Sequence, residues 1–293
     1  MKQIPASELI INSDGSIFHL HLQPDDLLET DTVILVGDPS RVQMIARHFD
    51  KIDVEKANRE FISKIGRIGN KRFMVLSTGI GIGNIDIAMT ELDALVNIDF
   101  TSRCIKSEHR ALQIVRMGTS GALHADIPLG SMVMSDISAG FDGLLNFYDG
   151  RNAVCMTELE EAFIEHTKWS ALLPKPYFVP ASKSLTELFA DGVIHGITAS
   201  APGFYAPQGR VLRLALHDAD FLRKIESFNY KGQRIMNFEM EGSAIAGLSL
   251  LLGHRAVTLC TIIANRHIKS MNTDYKPAVE KMIELCINNL ILR

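Results

Sequence analysis

Four cysteines in 293 residues leave little room for thiolate or disulfide chemistry. Cys104, Cys155, Cys260 and Cys286 lie far apart with no paired spacing, which excludes a zinc cluster or disulfide framework and leaves reduced packing residues. A basic cluster is also missing. Thirty Lys and Arg against 34 Asp and Glu give a formal net charge of -4, so there is no electrostatic footprint for nucleic acid. No apolar run is long enough to span a bilayer, and the one near the N-terminus is too short for a signal peptide. The expectation is a cytoplasmic protein with no membrane partner. Neither a linker nor an internal repeat divides the chain, and 46% hydrophobic with 22% charged residues is the balance of a globular α/β protein.

What the chain does have is a stretch of unusual contrast, Asn237-Phe-Glu-Met-Glu-Gly-Ser-Ala-Ile-Ala-Gly-Leu-Ser-Leu-Leu-Leu252. A run such as Ala244 to Leu252 has no wet face, so it reads as a buried helix, closed by Gly253 as a left-handed cap. Glu239 and Glu241 stand at its mouth. They either complement the helix dipole and its unpaired amides or, with Met240 between them, offer acceptors beside an apolar surface, as a sugar carrying a flat base would need.

Strand and helix signals alternate along the rest. Ile17 to Leu22 alternates apolar and polar, which predicts a short extended arm carrying His19 and His21, of the kind that reaches a neighbour. Thr32–Val36 is a buried strand running into Gly37-Asp-Pro-Ser-Arg41 and a helix, where free amides and Arg41 would make an anion pocket. Arg59 and Glu60 lie between two strand patterns. Thr78-Gly-Ile-Gly-Ile-Gly-Asn84 follows a strand and opens a helix, but its glycines do not have dinucleotide spacing. Ala111 to Arg116 predicts a strand opening at Gly118-Thr-Ser-Gly121 into a loop at the carboxyl end of a sheet, where open α/β folds put ligands. Ser200 to Arg210 is a loop whose Phe204 could stack on a planar ring while Gln208 and Arg210 read its edge. Arg255 to Ala264 is a core strand, and Tyr275 to Leu292 an amphipathic helix. The fold class is α/β, a single domain over 1–293 with a central mixed β-sheet flanked by helices and a short N-terminal arm.

Taken in order, Gly37-Asp-Pro-x-Arg41, Thr78-Gly-Ile-Gly81, Arg116-x-Gly-Thr-x-Gly121, Phe204-Tyr-x-x-Gln-x-Arg210, Glu239-Met-Glu241 and Asn265-Arg266 resemble the nucleoside phosphorylase family, on its uridine-cleaving branch. The resemblance runs from about His19 to the C-terminal helix. It implies a nucleoside phosphorylase type of fold, a pentosyl transfer in pyrimidine salvage, inorganic phosphate as co-substrate and no other cofactor. It also implies a homo-oligomer whose sites are shared across a dimer interface. Gly37, Arg41, Arg116 and Thr119 match the phosphate site, and Arg59 the arginine that a dimer partner inserts there. His19 matches a histidine lent to the ribose by the neighbouring subunit, while Met240 and Glu241, with Glu239 beside them, lie under the sugar. Gln208 and Arg210 match the pair that reads the uracil edge, and Phe204 the ring beside the base. Arg266 stands where the purine branch has an aspartate, which disfavours that branch. Some members hold potassium between subunits, which here would use Glu60, Ile80 and Asn84, although Asn84 replaces a serine. The insert from Asp99 to His109 resembles the vertebrate branch. Rival expectations are a nucleoside hydrolase, which has no use for three arginines, and a non-catalytic nucleoside-binding protein on the same scaffold.

Overall fold

The computed structural model describes residues 3–292. The chain separates into two compact units, one from its first 115 residues with Leu252–Arg255, the other from Arg116–Leu251 with Ala256 onward.

In the first unit, the β-branched run Thr32–Val36 forms β1, whose side chains are buried almost throughout. Pro39 at the first turn and Asp38 as N-cap, accepting from the Ser40 amide at 2.8 Å, start α1 at Pro39–Ala46. Strands β2 (Lys51–Asn58) and β3 (Phe61–Ile68) make an antiparallel hairpin, with Arg59 in its turn at φ 54°. β4 (Lys71–Ser77) returns antiparallel to β3 and parallel to β1, giving the mixed order β1-β4-β3-β2. Gly79 and Gly81, at φ 70° and 102°, turn the chain into α2 (Ile82–Asn97), which buries Ile85, Ala88, Met89, Leu92 and Leu95.

The expected extended arm at Ile17 to Leu22 is instead a turn. The Ile17 amide donates to Leu22 O and the His21 amide to Ile17 O, with His21 at φ 53°. Ile17, Leu20 and Leu22 are all buried. A strand would have put Ile17 on the opposite face from the other two, and the Glu91 carboxylate holds the turn by accepting the amides of His19 and Leu20.

In the second unit, β5 (Gln113–Ala122) and β10 (Arg255–Asn265) start with residues of the first unit and continue here. With β6 (Met132–Gly140), β8 (Ile194–Ser200) and β9 (Gln233–Glu239) they take the order β9-β8-β6-β10-β5, and β9 also pairs antiparallel with β5. The sheet of this unit therefore closes on itself like a barrel. A short edge strand, β7 (Tyr177–Pro180), lies antiparallel on β6. Helix α3 (Thr157–Thr167) packs Leu159 and Phe163 into an aromatic core with Phe141, Phe178, Phe228 and Phe238. Helix α4 (Phe221–Glu226) joins that core through Ile225. Helix α5 (Gly242–Leu251) is buried over eight of its ten residues, as its composition requires, and Gly253 beyond it has φ 78°. Helix α6 (Lys276–Ile291) ends the described chain.

Candidate active site

The second unit contains a buried ionic cluster. Arg116 sits within β5, not at its end: the expected loop at Gly118 to Gly121 is strand, because Gly121 and Ala122 pair with β9. The Arg116 guanidinium folds back over Gly118, where a Cβ would lie 1.9 Å from Nη1, so any side chain there would displace the guanidinium. Its Nη2 lies 3.0 Å from Glu239 Oε2 and donates to Glu241 Oε2. Burial works against the charge, but the two carboxylates outweigh it and hold Arg116 more firmly protonated than usual. Burial also pushes the neighbouring Cys260 thiol up to about 12, which leaves it inert.

Glu239 ends β9 and caps α5. Its carboxylate accepts the Glu241 amide at 2.9 Å and the Gly242 amide at 2.9 and 3.0 Å, together with the Ser200 hydroxyl. Complementing the helix start is therefore what Glu239 does, while Glu241 turns to Arg116. Ser200 Oγ in turn accepts the Ser243 amide at 2.9 Å. Ser243 Oγ lies 3.1 Å from the Tyr177 hydroxyl and donates to Asp142 at 3.2 Å, and Tyr177 donates to the same carboxyl at 3.0 Å. Burial raises the Asp142 pKa although the Leu144 amide, Tyr177 and Ser243 all hydrogen-bond to it. Met240 and Thr119 are half-buried. Next to Thr119, Ser120 accepts from Asn237 Nδ2 at 2.7 Å.

The loop from Phe204 to Arg210 carries a second arginine arrangement. Arg210 stacks 3.7 Å over the Phe204 ring and donates to Phe204 O at 2.6 Å and to Gln208 Oε1 at 2.7 Å. Arg266, just past β10, donates to the same Oε1 at 2.6 Å and to the Gln208 carbonyl. Gln208 is 3% exposed, while Phe204 is 49% exposed. Two cations thus share one neutral amide oxygen, which fixes the orientation of that amide. Burial, followed by the Arg210 charge, lowers the Arg266 pKa to about 10, and burial lowers that of Arg210 as well.

In the first unit the carboxyl ends of β1 and β4 lie side by side. A Cβ on Gly37 would stand 3.2 Å from the Gly79 carbonyl, so the two turns approach closely. The free amides expected at the start of α1 are corrected in part, since Asp38 takes that of Ser40. Arg41 is half-buried and Arg59 exposed at the hairpin tip. His19 Nδ1 lies 2.6 Å from Glu91 Oε1, and its carbonyl accepts from Asn58 Nδ2 at 2.9 Å. Glu60 and Asn84 converge on Gly79, where a Cβ would meet Asn84 Nδ2 at 2.9 Å and Glu60 Cγ at 3.0 Å, while the Ile80 side chain is exposed.

Asp142, Tyr177, Ser200 and Ser243, which tie Glu239 to the barrel, had no signal in the sequence beyond being polar residues in apolar surroundings. Glu91 could have been found as an acid on a helix whose neighbouring turns are apolar.

Mixed sheets whose parallel strands end in glycine turns, with arginines gathered beside them, define an α/β fold of the nucleoside phosphorylase type. Residues 31–290 match the phosphorylase superfamily, and the chain belongs to it. It is 29% identical over 262 residues to a uridine phosphorylase of Salmonella typhimurium, covering 87% of this chain and 88% of the relative. A uridine phosphorylase of Thermococcus kodakarensis is 28% identical over 255 residues, covering 86% and 79%. Among solved structures, a nucleoside phosphorylase of Trypanosoma brucei, described as showing uridine phosphorylase activity, aligns with a TM-score of 0.87 at 27% identity over 98% of this chain and 100% of that one.

Proposed function

We propose that the protein is a uridine phosphorylase, a pentosyltransferase that cleaves uridine reversibly to uracil and ribose 1-phosphate. The observation that carries this reading is the Gln208 amide held between Arg210 and Arg266, beside the Phe204 ring. Two cations around a neutral acceptor suit a base that leaves as an anion. As the C1'–N1 bond breaks, its electron pair goes to uracil, and Gln208, Arg210 and Arg266 stabilise the charge growing on the ring. A base that left these buried groups unpaired would be rejected.

A phosphate oxygen forms the new bond to C1'. Gly37, Arg41, Arg59, Arg116 and Thr119 make up the phosphate set, as their match to the family's motifs implies. The Nη2 of Arg116 serves the glutamates and Nη1 reaches Cys260 Sγ at 3.6 Å, a weak acceptor that the anion would outcompete. Glu241, positioned by Arg116, accepts from the ribose hydroxyls beside Met240, and Glu239 holds the turn that presents both. Positive charge developing at the sugar is stabilised by the phosphate dianion. His19, lent by a neighbouring subunit of a homo-oligomer, completes the ribose contacts, with Glu91 fixing its ring. The protein acts in the cytoplasm in pyrimidine salvage. Potassium enters no step: the carboxylate of Glu60, the Ile80 carbonyl and the Asn84 amide oxygen fit it in composition, and an ion there would fix the Gly79 turn.

The test is product analysis after incubation with uridine, deoxyuridine, thymidine and inosine in phosphate buffer. Uracil with ribose 1-phosphate from uridine, and little cleavage of inosine, is expected. Uracil with free ribose would make the protein a hydrolase, and no release from any of the four would leave a binding protein.

A further inference from the structure

Behind the turn that holds Gln208 lies a cavity of about 210 Å³. Ala206 and Pro207 form one wall, and Phe141, Trp169, Leu173 and Phe221 form much of the rest. The Trp169 indole N–H is spent on Pro174 O at 2.9 Å, so its ring offers an apolar face. Polar groups sit at the rim. Lys224 there is bound to Asp218 at 2.6 Å, whereas Lys168, exposed just after α3 at φ 50°, makes no ion pair among the described residues. The volume exceeds the roughly 150 Å³ of a cavity that takes one benzene and falls short of the roughly 300 Å³ at which drug-sized sites begin. An apolar space of that size, with one uncompensated cation at its edge, complements a small apolar body bearing one negative charge.

We propose that this cavity binds a small apolar anion, a ring or short-chain carboxylate or sulfonate, with its charge on Lys168, and that occupancy shifts the turn carrying Gln208. The walls supply the coupling: Ala206 and Pro207 belong to the same single helical turn, Ala206–Gln208, as the base-reading amide. A ligand pressing on that wall moves Gln208 against Arg210 and Arg266. Binding is independent of the phosphorylase reading, whereas the coupling rests on it.

Trp169 is the only tryptophan in the chain, so its emission reports on this cavity. The experiment titrates the protein with 4-nitrobenzoate, a single-ring carboxylate whose nitroaromatic ring quenches indole emission, while exciting Trp169, with and without excess uracil and phosphate. Saturable quenching that uracil and phosphate do not compete away is expected, weakened at least tenfold in Lys168→Glu and in Leu173→Glu. Both side chains are at least partly exposed, so the variants should keep the fold, and circular dichroism checks this. Absence of saturable quenching, displacement by uracil, or unchanged affinity in both variants would overturn the site. With the probe bound, the KM for uridine should shift at least twofold while that for phosphate stays put. An unchanged uridine KM would overturn the coupling, and a protein that cleaves no uridine at all would sink the phosphorylase reading while the quenching result still stood.

Discussion

Arg116 is buried and Arg266 half-buried in the second unit, and their environments push the two guanidinium groups in opposite directions. Arg116 faces two carboxylates and is held more firmly charged than usual. Arg266 faces a neutral amide oxygen and a second arginine, and its pKa falls to about 10. The first cluster has its cation answered by carboxylates and keeps a helix start, a strand end and Glu241 in register. The second is short of negative charge until something electron-rich arrives. The proposed transfer would gain from this division: a positioning cluster satisfied in advance, and a cationic one that a leaving anion would satisfy.

The largest effect is expected for Arg116→Ala. Leaving Glu239 and Glu241 buried without their cation should cost about 3 kcal/mol or more of stability and abolish measurable turnover, read by urea unfolding and uracil release. A variant that lost activity at unchanged stability would show that Arg116 serves phosphate alone, the simpler role its position in the motif suggests. Gln208→Ala comes next. It removes the oxygen that separates Arg210 from Arg266, so kcat/KM for uridine should fall roughly 100-fold, about 2.7 kcal/mol, with discrimination against inosine reduced. Unchanged discrimination would refute the base-reading role.

Arg266→Leu should act in the same direction but less, roughly 10-fold in kcat/KM, because Arg210 still holds the amide. Its stability should not fall as it does for Arg116→Ala, since among the described residues Arg266 makes no salt bridge and interacts with Glu226 only at longer range; an equal loss would erase the contrast. The smallest effect is expected for Asp142→Asn, within about 1 kcal/mol in urea unfolding at neutral pH. Burial raises the folded pKa of Asp142 above its ordinary value, so the folded chain keeps this proton to higher pH than the unfolded chain. The stability this contributes is fully present below the unfolded value and is lost as pH rises through the folded one. Wild-type stability minus that of Asp142→Asn should therefore decline as pH rises above the ordinary carboxylate range of about 4. A difference that stays flat, or grows with pH, would mean that the carboxylate is stabilised by Tyr177 and Ser243.

Local patterns made much of this legible. The β-branched run of β1, the all-apolar α5 with Gly253 after it, and the polar residues that follow strands were all readable because they depend on neighbours in sequence. Partners were not. That Arg116 would bind Glu241, 125 residues away, depends on β5 pairing with β9, and no periodicity records which strands meet. The closure of the second unit's sheet and the network from Asp142 to Ser200 were hidden for the same reason. At Ile17 to Leu22 the alternation was real, but burying three apolar side chains and giving two amides to Glu91 outweighed it.

Transfer of the ribosyl group to phosphate is tested by the initial rate of uracil release as a function of phosphate concentration. A rate that rises to saturation with phosphate and extrapolates to zero without it is the predicted result. Uracil release that does not depend on phosphate would contradict the claim.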